Sequence, residues 1–345
     1  MLHRALSRLN ESTDALVART LAKTGSHPEI VAYGGIASER EVRLRGRVLM
    51  SRTSDQRAFL RNSRGYRQLL DAQVPRQPVR VALGNASTVV RADADGYIDV
   101  TLTGHGLGAG WHDATYQVLN ADDVWAFNEA PDGASGRMRI RAAEPVPVQI
   151  RVVGDDETTG VVTDIDDTAM VSNVPRLMSA AYLFLVEEVR DRTPVPGMAT
   201  FLTLLTRRDR GRASVAFYLT SNVWNNFTSV RAFLDRNQFP RGAIAMTDFG
   251  MTPTGWFRSG KAHKRTELER LHAMLPQVKW YLVGDDGEHD PDIYTAFARE
   301  FPEAVAGIAI RSVRGTGEKA LGNLPAGIPV WVGRDGDALM RAIGQ

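Results

Sequence analysis

Hydrophobic and polar positions alternate with two different periods along this chain. Between residues 40 and 153, apolar residues recur at every second position in short runs, and turn residues such as Asp95-Gly96 separate the runs. In the first run, Val42, Leu44 and Val48 alternate with arginines, which predicts a strand that buries one face. From residue 160 onward, short apolar runs alternate with longer segments of helical periodicity. The first pattern predicts a small antiparallel sandwich, and the second predicts a parallel sheet with intervening helices.

Three regions follow from these patterns: an N-terminal helical segment (1–39), a β-rich accessory domain (40–155) and an α/β domain (156–345). Within the first, leucines at positions 2, 6 and 9 indicate one apolar face of a helix over residues 1–23. The α/β domain has predicted strands at 161–163, 214–219, 242–246, 279–283, 305–310 and 328–332. Its predicted helices are 176–189, 198–207, 227–236, 263–275 and 291–300, the last with Asp290 as N-cap. This alternation indicates a doubly wound, mostly parallel sheet with its ligand site at the strand carboxyl ends.

Composition narrows the class of protein. Residues 1–80 carry 15 Lys or Arg against 7 Asp or Glu, whereas the remainder carries 27 against 33. A basic first part favours an anionic partner such as a membrane surface, although solvated arginine faces explain it more simply, and the acidic part favours a bound cation. The absence of cysteine excludes disulfides and a cysteine nucleophile. The basic residues are not interleaved with aromatic ones, which argues against nucleic-acid binding.

No apolar run approaches the roughly 18–20 residues of a membrane span, and no continuous apolar stretch follows Arg4 and Arg8. We therefore expect a cytoplasmic protein, with peripheral membrane contact left open.

The stretch 164–168, Asp-Ile-Asp-Asp-Thr, carries the first chemical signal. It follows the apolar run 161–163, so Asp164 and Asp166 project together from a strand end. One carboxylate is suited to attack phosphorus while the other acts as general acid and base. A calcium loop counted from Asp164 needs glycine at its sixth position and glutamate at its twelfth, but finds Ala169 and Pro175. An Asp-rich structural turn remains the alternative.

Three further segments lie where a phosphoryl-transfer site needs them. The second strand ends in Thr220, Ser221 and Asn222, whose hydroxyls and amides suit phosphate oxygens. A helix opens with Lys264, which could neutralise a nucleophile and a phosphoryl group, with Lys261 as a lesser alternative. The fourth strand ends in a dense acidic cluster, residues 285–290, which favours magnesium because crowded carboxylates repel without a cation. His289 is a weaker candidate for acid/base work than the aspartates.

Taken together, these segments resemble the haloacid dehalogenase superfamily. More narrowly, the segments 164–168, 218–225, 263–264 and 284–294 are similar to the actin-patch-type phosphatidate phosphatase family, whose catalytic domain is related to that of lipin. The most family-specific part is the string Gly-Asp-Asp-Gly-Glu-His-Asp-Pro-Asp-Ile-Tyr at 284–294. The resemblance covers roughly residues 155–315 and implies a haloacid dehalogenase-like domain with a minimal cap.

The resemblance implies a role for each matched residue. Asp164 would be the nucleophile, Asp166 the acid/base and a magnesium ligand through its carbonyl, and Lys264 the charge stabiliser. Thr220 or Ser221, with Asn222, would bind phosphate. The metal site would use Asp164, Asp166, Asp285 and Asp290, the last from farther out or through water. One departure from relatives is Asp286, where serine is frequent, which adds a charge beside the metal.

The expected function is a magnesium-dependent phosphatase that acts through an aspartyl-phosphate on phosphatidate or a related lipid phosphate. About 50 and about 40 residues separate successive motifs, which leaves no room for a separate lid and favours a bulky substrate. Residues 256–258, Trp-Phe-Arg, are candidates for a substrate-facing lip. The alternatives are a phosphatase for soluble or protein-borne phosphomonoesters and a binding adaptor with a vestigial catalytic domain.

Overall fold

The computed structural model describes residues 26–52, 73–119, 143–171, 192–208, 215–247, 260–317 and 321–344. The chain divides into two compact units, one of residues 1–63 and 70–152, the other of residues 64–69 and 153–345. Three predicted features lie outside the described residues: the helix at 1–23, the helix at 176–189 and the lip at 256–258. The division into independently folding domains at 155/156 stays a prediction.

The first unit is built from eight strands in one hydrogen-bonded sheet. The strands are β1 (Ser26–Tyr33), β2 (Gly35–Ser38), β3 (Glu41–Arg52), β4 (Pro78–Leu83), β5 (Ala86–Arg91), β6 (Tyr97–Thr103), β7 (Gly110–Val118) and β8 (Val146–Val153). Their order is β1-β3-β2-β8-β7-β4-β5, with β6 paired to β3. Inward residues of β3, including Val42, Leu44 and Val48, are fully buried in a single apolar cluster, as the alternation predicts.

The strands are joined in one hydrogen-bonded sheet, because β3 pairs with β1, β2 and β6. Their buried residues share one apolar cluster, and the sandwich arrangement stays a prediction. One expectation for this unit was wrong. Residues 26–38, assigned to the helical segment 1–39, form β1 and β2 instead. Ile30 and Tyr33 of β1 are buried, and the whole strand pairs antiparallel with β3. The helical pattern covered only residues 1–23, so the extension of the helical segment to residue 39 had no periodicity behind it.

The outward arginines of β3 are engaged within their own sheet. Arg43 donates to Asp99 through Nε at 2.6 Å and also through Nη2. Arg47 is buried, donates from Nε to the Asp95 carbonyl at 3.2 Å and stacks over the Tyr97 ring at 4.5 Å. Contacts within the sheet therefore account for the presence of Arg43 and Arg47 on β3. They lend no support to the binding of lipid headgroups by these arginines.

The second unit is a six-stranded parallel sheet with helices between its strands. The strands are β9 (Thr159–Thr163), β10 (Val215–Val223), β11 (Gly242–Thr247), β12 (Lys279–Asp285), β13 (Val305–Arg311) and β14 (Val330–Gly333). The described helices are α1 (Met198–Thr206), α2 (Phe227–Arg236), α3 (Gly260–Met274), α4 (Asp290–Glu300) and α5 (Gly336–Ile343). All five neighbouring strand pairs are parallel. The predicted alternation of strands and helices is confirmed for the described residues.

Strand order determines where the site can lie. The order is β11-β10-β9-β12-β13-β14, so the chain runs from β9 outward to β11, then crosses back to β12 and continues the other way. A ligand crevice forms outside the carboxyl ends of the strands at such a reversal. Asp164 follows β9 directly and Asp285 ends β12, so the fold brings these two motif residues to the same crevice.

The start of α4 differs from the prediction. The helix begins at Asp290, with His289 as the preceding N-cap residue and no side-chain cap hydrogen bond. Asp290 is therefore not the N-cap, and its buried carboxylate is directed at Lys264 and the Asp285 amide instead. Among the described residues, no helix is long and apolar enough to cross a membrane.

Candidate active site

A tight turn after β9 presents the first aspartates. The amide of Asp164 donates to the Val283 carbonyl at 2.9 Å, which continues the pairing with β12 beyond the strand end. The amides of residues 168, 169 and 170 all donate to the Ile165 carbonyl. Asp167 has a φ of 56°, a left-handed conformation that aspartate tolerates better than bulkier residues, and its carbonyl accepts a hydrogen bond from Arg311 at 2.5 Å. The turn thus fixes the strand end that carries Asp164 and Asp166.

Lys264 on α3 links two buried carboxylates. Its Nζ donates to Asp164 Oδ1 at 2.8 Å and to Asp290 Oδ1 at 2.6 Å, and all three side chains are at most 3% exposed. Burial acts to lower the pKa of Lys264, but the carboxylates of Asp164 and Asp290 outweigh it and raise the pKa well above its ordinary value. Lys264 is therefore held as a cation at the carboxylate predicted to be the nucleophile.

Asp285 completes a group of three buried carboxylates. Ligand oxygens of Asp164, Asp285 and Asp290 all lie within 4.8 Å of one another. Asp285 Oδ2 accepts a hydrogen bond from the Gly287 amide at 3.1 Å, whereas its buried Oδ1 has no hydrogen-bond partner. Burial, followed by the charge of Asp290, raises the pKa of Asp285 to about 7. An uncompensated carboxylate oxygen in this position is a suitable ligand for a hard divalent cation, so the donor set fits magnesium.

Glycine 284 allows the carboxylates to approach this closely. A Cβ at this position would lie 2.5 Å from Asp290 Oδ2 and 2.8 Å from a ring carbon of Tyr294. Those distances are below any real carbon contact, so a larger residue would displace Asp290 from Lys264. The Gly-Asp pair at 284–285 therefore reflects a packing requirement of the acidic cluster.

Asp166 is held apart from this cluster. Its Oδ2 accepts a hydrogen bond from Thr220 Oγ1 at 2.8 Å, and its Oδ1 lies 3.4 Å from Arg192 Nη1. The two aspartates of the motif thus have different surroundings: Asp164 is 1% exposed, whereas the Asp166 side chain is 18% exposed. A buried carboxylate beside a lysine and a more accessible carboxylate suit the different tasks of nucleophile and proton carrier.

These features can be set beside known proteins. Residues 159–312 match the family model described as "Phosphatidate phosphatase APP1, catalytic domain". The α/β unit is therefore similar to the catalytic domain of the APP1-type phosphatidate phosphatase family. The matched region includes every catalytic, phosphate-binding and metal-binding residue predicted from the sequence, so the similarity extends to the whole predicted site.

Individual relatives of this APP1-type domain are distant. Phosphatidate phosphatase APP1 of Saccharomyces cerevisiae is 29% identical over 96 residues, which is 28% of this chain and 16% of the yeast protein. Uncharacterized protein C29B5.04c of Schizosaccharomyces pombe is 25% identical over 163 residues, 46% of this chain and 26% of that protein. The matched segments thus cover only 16% and 26% of the length of these two relatives.

A solved carbohydrate acetylesterase from Xanthomonas citri is 12% identical and covers 87% of this chain and 66% of that chain, with a TM-score of 0.30. That likeness is too low to bear on fold or function.

The structure places Thr220, which was expected to contact phosphate, beside Asp166. Its hydroxyl donates a hydrogen bond to Asp166 Oδ2 at 2.8 Å. Ser221 accepts a hydrogen bond from Thr247 Oγ1 through its carbonyl at 2.7 Å. The Asn222 side chain lies outside the described parts of the structure. Phosphate binding by these three residues stays a prediction.

Asp286 anchors a loop in this APP1-type domain. Its two oxygens accept hydrogen bonds from the amides of residues 313, 314, 316 and 317 and from the hydroxyls of Ser312 and Thr316. Burial acts to raise the pKa of Asp286, but the amides of Arg314, Gly317 and Val313 lower it well below its ordinary range. The extra charge noted in the sequence is thus stabilised by hydrogen bonds from the loop after β13, which gives this aspartate a structural explanation.

Sequence reasoning missed two groups at the site. Arg192 reaches Asp166, but one arginine among 37 in this chain carries no signal of its own. Tyr294, noted only as part of a motif, is fully buried and donates to the Val283 carbonyl at 3.0 Å, which ties α4 to β12. Lys261 contacts Asp292 at the surface, and His289 is exposed, so neither alternative gains support over Lys264 or Asp166.

Proposed function

We propose that this protein is a magnesium-dependent phosphatase that hydrolyses phosphate monoesters through an aspartyl-phosphate, with phosphatidate or a related lipid phosphate as substrate. The arrangement that carries the proposal is the buried Asp164 carboxylate, bonded to Lys264 at 2.8 Å and adjacent to the unpartnered Asp285 Oδ1. The reversal of strand order between β9 and β12 supports a haloacid dehalogenase-like, doubly wound fold with a minimal cap.

The carboxylates of Asp164 and Asp285 and the carbonyl of Asp166 would hold the magnesium ion, with Asp290 supporting them from farther out. When bound, the ion would supply positive charge that ionises Asp164 and neutralises phosphoryl oxygens. Burial raises the pKa of Asp164, against the opposing effect of Lys264, so an additional cation favours the nucleophilic form.

In the first half-reaction, an Asp164 oxygen attacks phosphorus and forms a carboxyl–phosphate bond. The bond between phosphorus and the alcohol oxygen breaks, and Asp166 gives its proton to that departing oxygen. Lys264 remains hydrogen-bonded to Asp164 and disperses the charge that gathers on the phosphoryl group. The products of this step are the free alcohol and the phosphorylated enzyme.

In the second half-reaction, Asp166, now ionised, takes a proton from water, and the water oxygen attacks phosphorus. The carboxyl–phosphate bond breaks, inorganic phosphate leaves and Asp164 returns to its carboxylate form. Thr220 keeps Asp166 in place through the 2.8 Å hydrogen bond to Oδ2. Because one residue both gives and takes the proton, the enzyme returns to its starting protonation state.

The lipid class is supported by the family match and by the short intervals between motifs. About 50 and about 40 residues separate them, which favours an open site that admits a bulky phosphate. A cytoplasmic protein with peripheral contact to an anionic membrane surface fits that substrate. A phosphatase for soluble phosphomonoesters would use the same residues, so the assay below separates the two.

The function is tested by magnesium-dependent release of phosphate from three substrates. These are phosphatidate in phosphatidylcholine vesicles, a short-chain phosphatidate kept below its micelle concentration, and glycerol 3-phosphate. We expect turnover of both phosphatidates and little of glycerol 3-phosphate, because acyl chains distinguish the lipid substrates. A preference for glycerol 3-phosphate would contradict the lipid substrate class but would still support the phosphatase reaction. No turnover of any phosphomonoester would contradict the phosphatase.

Removing the unpartnered carboxylate should stabilise the metal-free protein. At pH 8 in EDTA, we expect Asp285→Asn to melt several degrees above wild type, since an amide is not charged when buried. The native pKa of about 7 lies above the ordinary value of 3.8, so the native state binds the proton more tightly. Wild-type stability should therefore fall as pH rises through the range from about 4 to about 7, and the gain in Asp285→Asn should grow over that window.

Thermal unfolding with and without magnesium checks this prediction. Wild type should gain stability on addition of magnesium, and Asp285→Asn should lose most of that gain along with activity. Asp292→Asn is the matched control, because that aspartate is 62% exposed on α4 and should show neither effect. A destabilised Asp285→Asn at pH 8 in EDTA would show that the carboxylate is already compensated without a cation.

A further inference from the structure

We propose that Arg192 is a positioning residue for the acid/base Asp166, which it orients for proton transfer to the leaving alcohol. This inference rests on the proposed phosphatase function and adds a residue that the motifs do not contain. Arg192 Nη1 lies 3.4 Å from Asp166 Oδ1, and the arginine side chain is only 6% exposed. A guanidinium so deeply buried beside a motif carboxylate calls for an explanation, because burying a charge is costly unless it is paired.

Backbone pairing places Arg192 at this position. The amide of Val171 donates to the Thr193 carbonyl at 2.9 Å, and the amide of Val195 donates to the Ala169 carbonyl at 3.0 Å. Met170 also forms bridges to Pro194 and to Asp166. The segment that follows the catalytic turn is thus paired antiparallel with the segment that follows Arg192, so the arginine is fixed relative to Asp166 by hydrogen bonds of the main chain.

The two contacts of Asp166 differ in length, and this difference suggests a separate role for each carboxylate oxygen. Oδ2 accepts the 2.8 Å hydrogen bond from Thr220, a normal length for a hydroxyl donor. Oδ1 meets Arg192 at 3.4 Å, which is long for a charge-assisted hydrogen bond. Thr220 therefore anchors one oxygen and Arg192 lies against the other, so the two contacts together orient the plane of the carboxylate, and the longer contact at Oδ1 makes this oxygen the one that would carry the proton.

Two other roles for Arg192 give different kinetics. An arginine that only stabilises the fold would lower melting temperature and affect all substrates alike. An arginine that clamps the phosphoryl group would also affect all phosphomonoesters alike, because they share that group. Loss of a residue that orients the proton donor should slow the reaction most when the departing alkoxide is a strong base, because a weakly basic phenolate leaves without a proton.

The test compares kcat/KM for short-chain phosphatidate, an alkyl phosphate, with 4-nitrophenyl phosphate, whose leaving group needs little protonation. The ratio kcat/KM covers the steps through the first irreversible one and therefore reports on departure of the alcohol. For Arg192→Gln, we expect a fall of roughly 30- to 100-fold on phosphatidate and less than about 5-fold on the aryl phosphate. Asp166→Asn should show the same selectivity with a larger loss.

Arg192→Lys is the second variant and keeps the charge if the glutamine variant is poorly folded. A lysine cannot reproduce the planar guanidinium, so we expect partial recovery on phosphatidate, to within about 10-fold of wild type. Arg231→Gln is the control, because that largely buried arginine donates to the Gly242 carbonyl at 2.8 Å on the β11 side of the sheet. It should leave the ratio between the two substrates unchanged.

Equal losses on both substrates in Arg192→Gln and Arg192→Lys would overturn the positioning role while leaving the phosphatase intact. Wild-type enzyme that turns over neither substrate would instead refute the proposed function itself. The two failures are therefore distinguishable in one experiment.

Discussion

Replacing Asp164 by asparagine should lower kcat/KM on the best phosphomonoester by at least about 10⁴-fold, because the reaction loses its nucleophile. The substitution preserves shape and retains an oxygen that can accept the 2.8 Å hydrogen bond from Lys264. The amide oxygen is a poor nucleophile, so the protein should fold and bind substrate without forming a phosphoenzyme. Phosphate release and acid-quench trapping of the labelled enzyme measure the two effects.

Three observations would accompany this loss if Asp164 is the nucleophile. Wild-type enzyme should give a phosphoenzyme that hydroxylamine cleaves, as an acyl phosphate does. With 4-nitrophenyl phosphate, whose leaving group needs little protonation, Asp166→Asn should accumulate that species, because the base that activates water is missing. Asp292→Asn, the same substitution at an exposed position of α4, should behave as wild type. Activity of Asp164→Asn above one-hundredth of wild type would assign nucleophilic attack to another group, such as a water molecule.

The sequence predicted the α/β unit well because its signals are local. Short apolar strands and amphipathic helices alternate, and a parallel sheet brings strand ends to one edge whatever the details of packing. Asp164 and Asp285 therefore meet as expected, even though 120 residues separate them. Lys264 also lies where the motif order indicated, since α3 precedes β12.

The errors concern residues whose partners are distant in sequence. Aspartate is a residue type that is favoured at N-caps, but the Asp290 carboxylate accepts a hydrogen bond from Lys264 on another helix instead. Asp286 looked like an additional charge at the metal, whereas the loop of residues 312–317 surrounds it with amides. Strands at 26–38 depend on pairing with β3, which no local pattern reports. Each outcome depends on which groups tertiary structure brings together.

Arg192 illustrates the same limit at the site itself. Its role rests on a 3.4 Å approach to Asp166 from a segment 26 residues later in the chain. Arginine is abundant in this sequence, so composition could not single it out. Lysine is rare, with five in the chain, and for that reason Lys264 carried information that Arg192 did not.

Replacing Lys264 by methionine should remove both activity and much of the stability of the α/β unit. The ammonium contacts Asp164 at 2.8 Å and Asp290 at 2.6 Å, and none of the three side chains is more than 3% exposed. Loss of one partner from a buried ionic group typically costs about 3–5 kcal/mol, since the remaining charges stay buried without compensation. We expect a melting temperature lower by roughly 10 °C and a rate lower by at least about 10³-fold.

The loss of stability should depend on pH with a definite sign. Burial already raises the pKa of Asp164 in the presence of Lys264, and removal of the cation raises it further. A carboxyl group with a raised native pKa makes the native state bind protons more tightly, so stability falls as pH increases. In EDTA, Lys264→Met should therefore lie closer to wild type at pH 5 than at pH 8.

A second substitution separates charge from packing. Asp290→Asn in the Lys264→Met background removes one of the two uncompensated carboxylates and should recover part of the lost stability but none of the activity. Lys261→Met is the control on the same helix, because that lysine is 52% exposed and contacts only the exposed Asp292 in the described structure. If Lys264→Met loses equal stability at pH 5 and pH 8, the cause is packing of the lysine stem rather than its charge. Recovery of stability without activity would assign Lys264 two separate tasks: it compensates the buried carboxylates of the folded protein, and it stabilises the charge of phosphoryl transfer at Asp164.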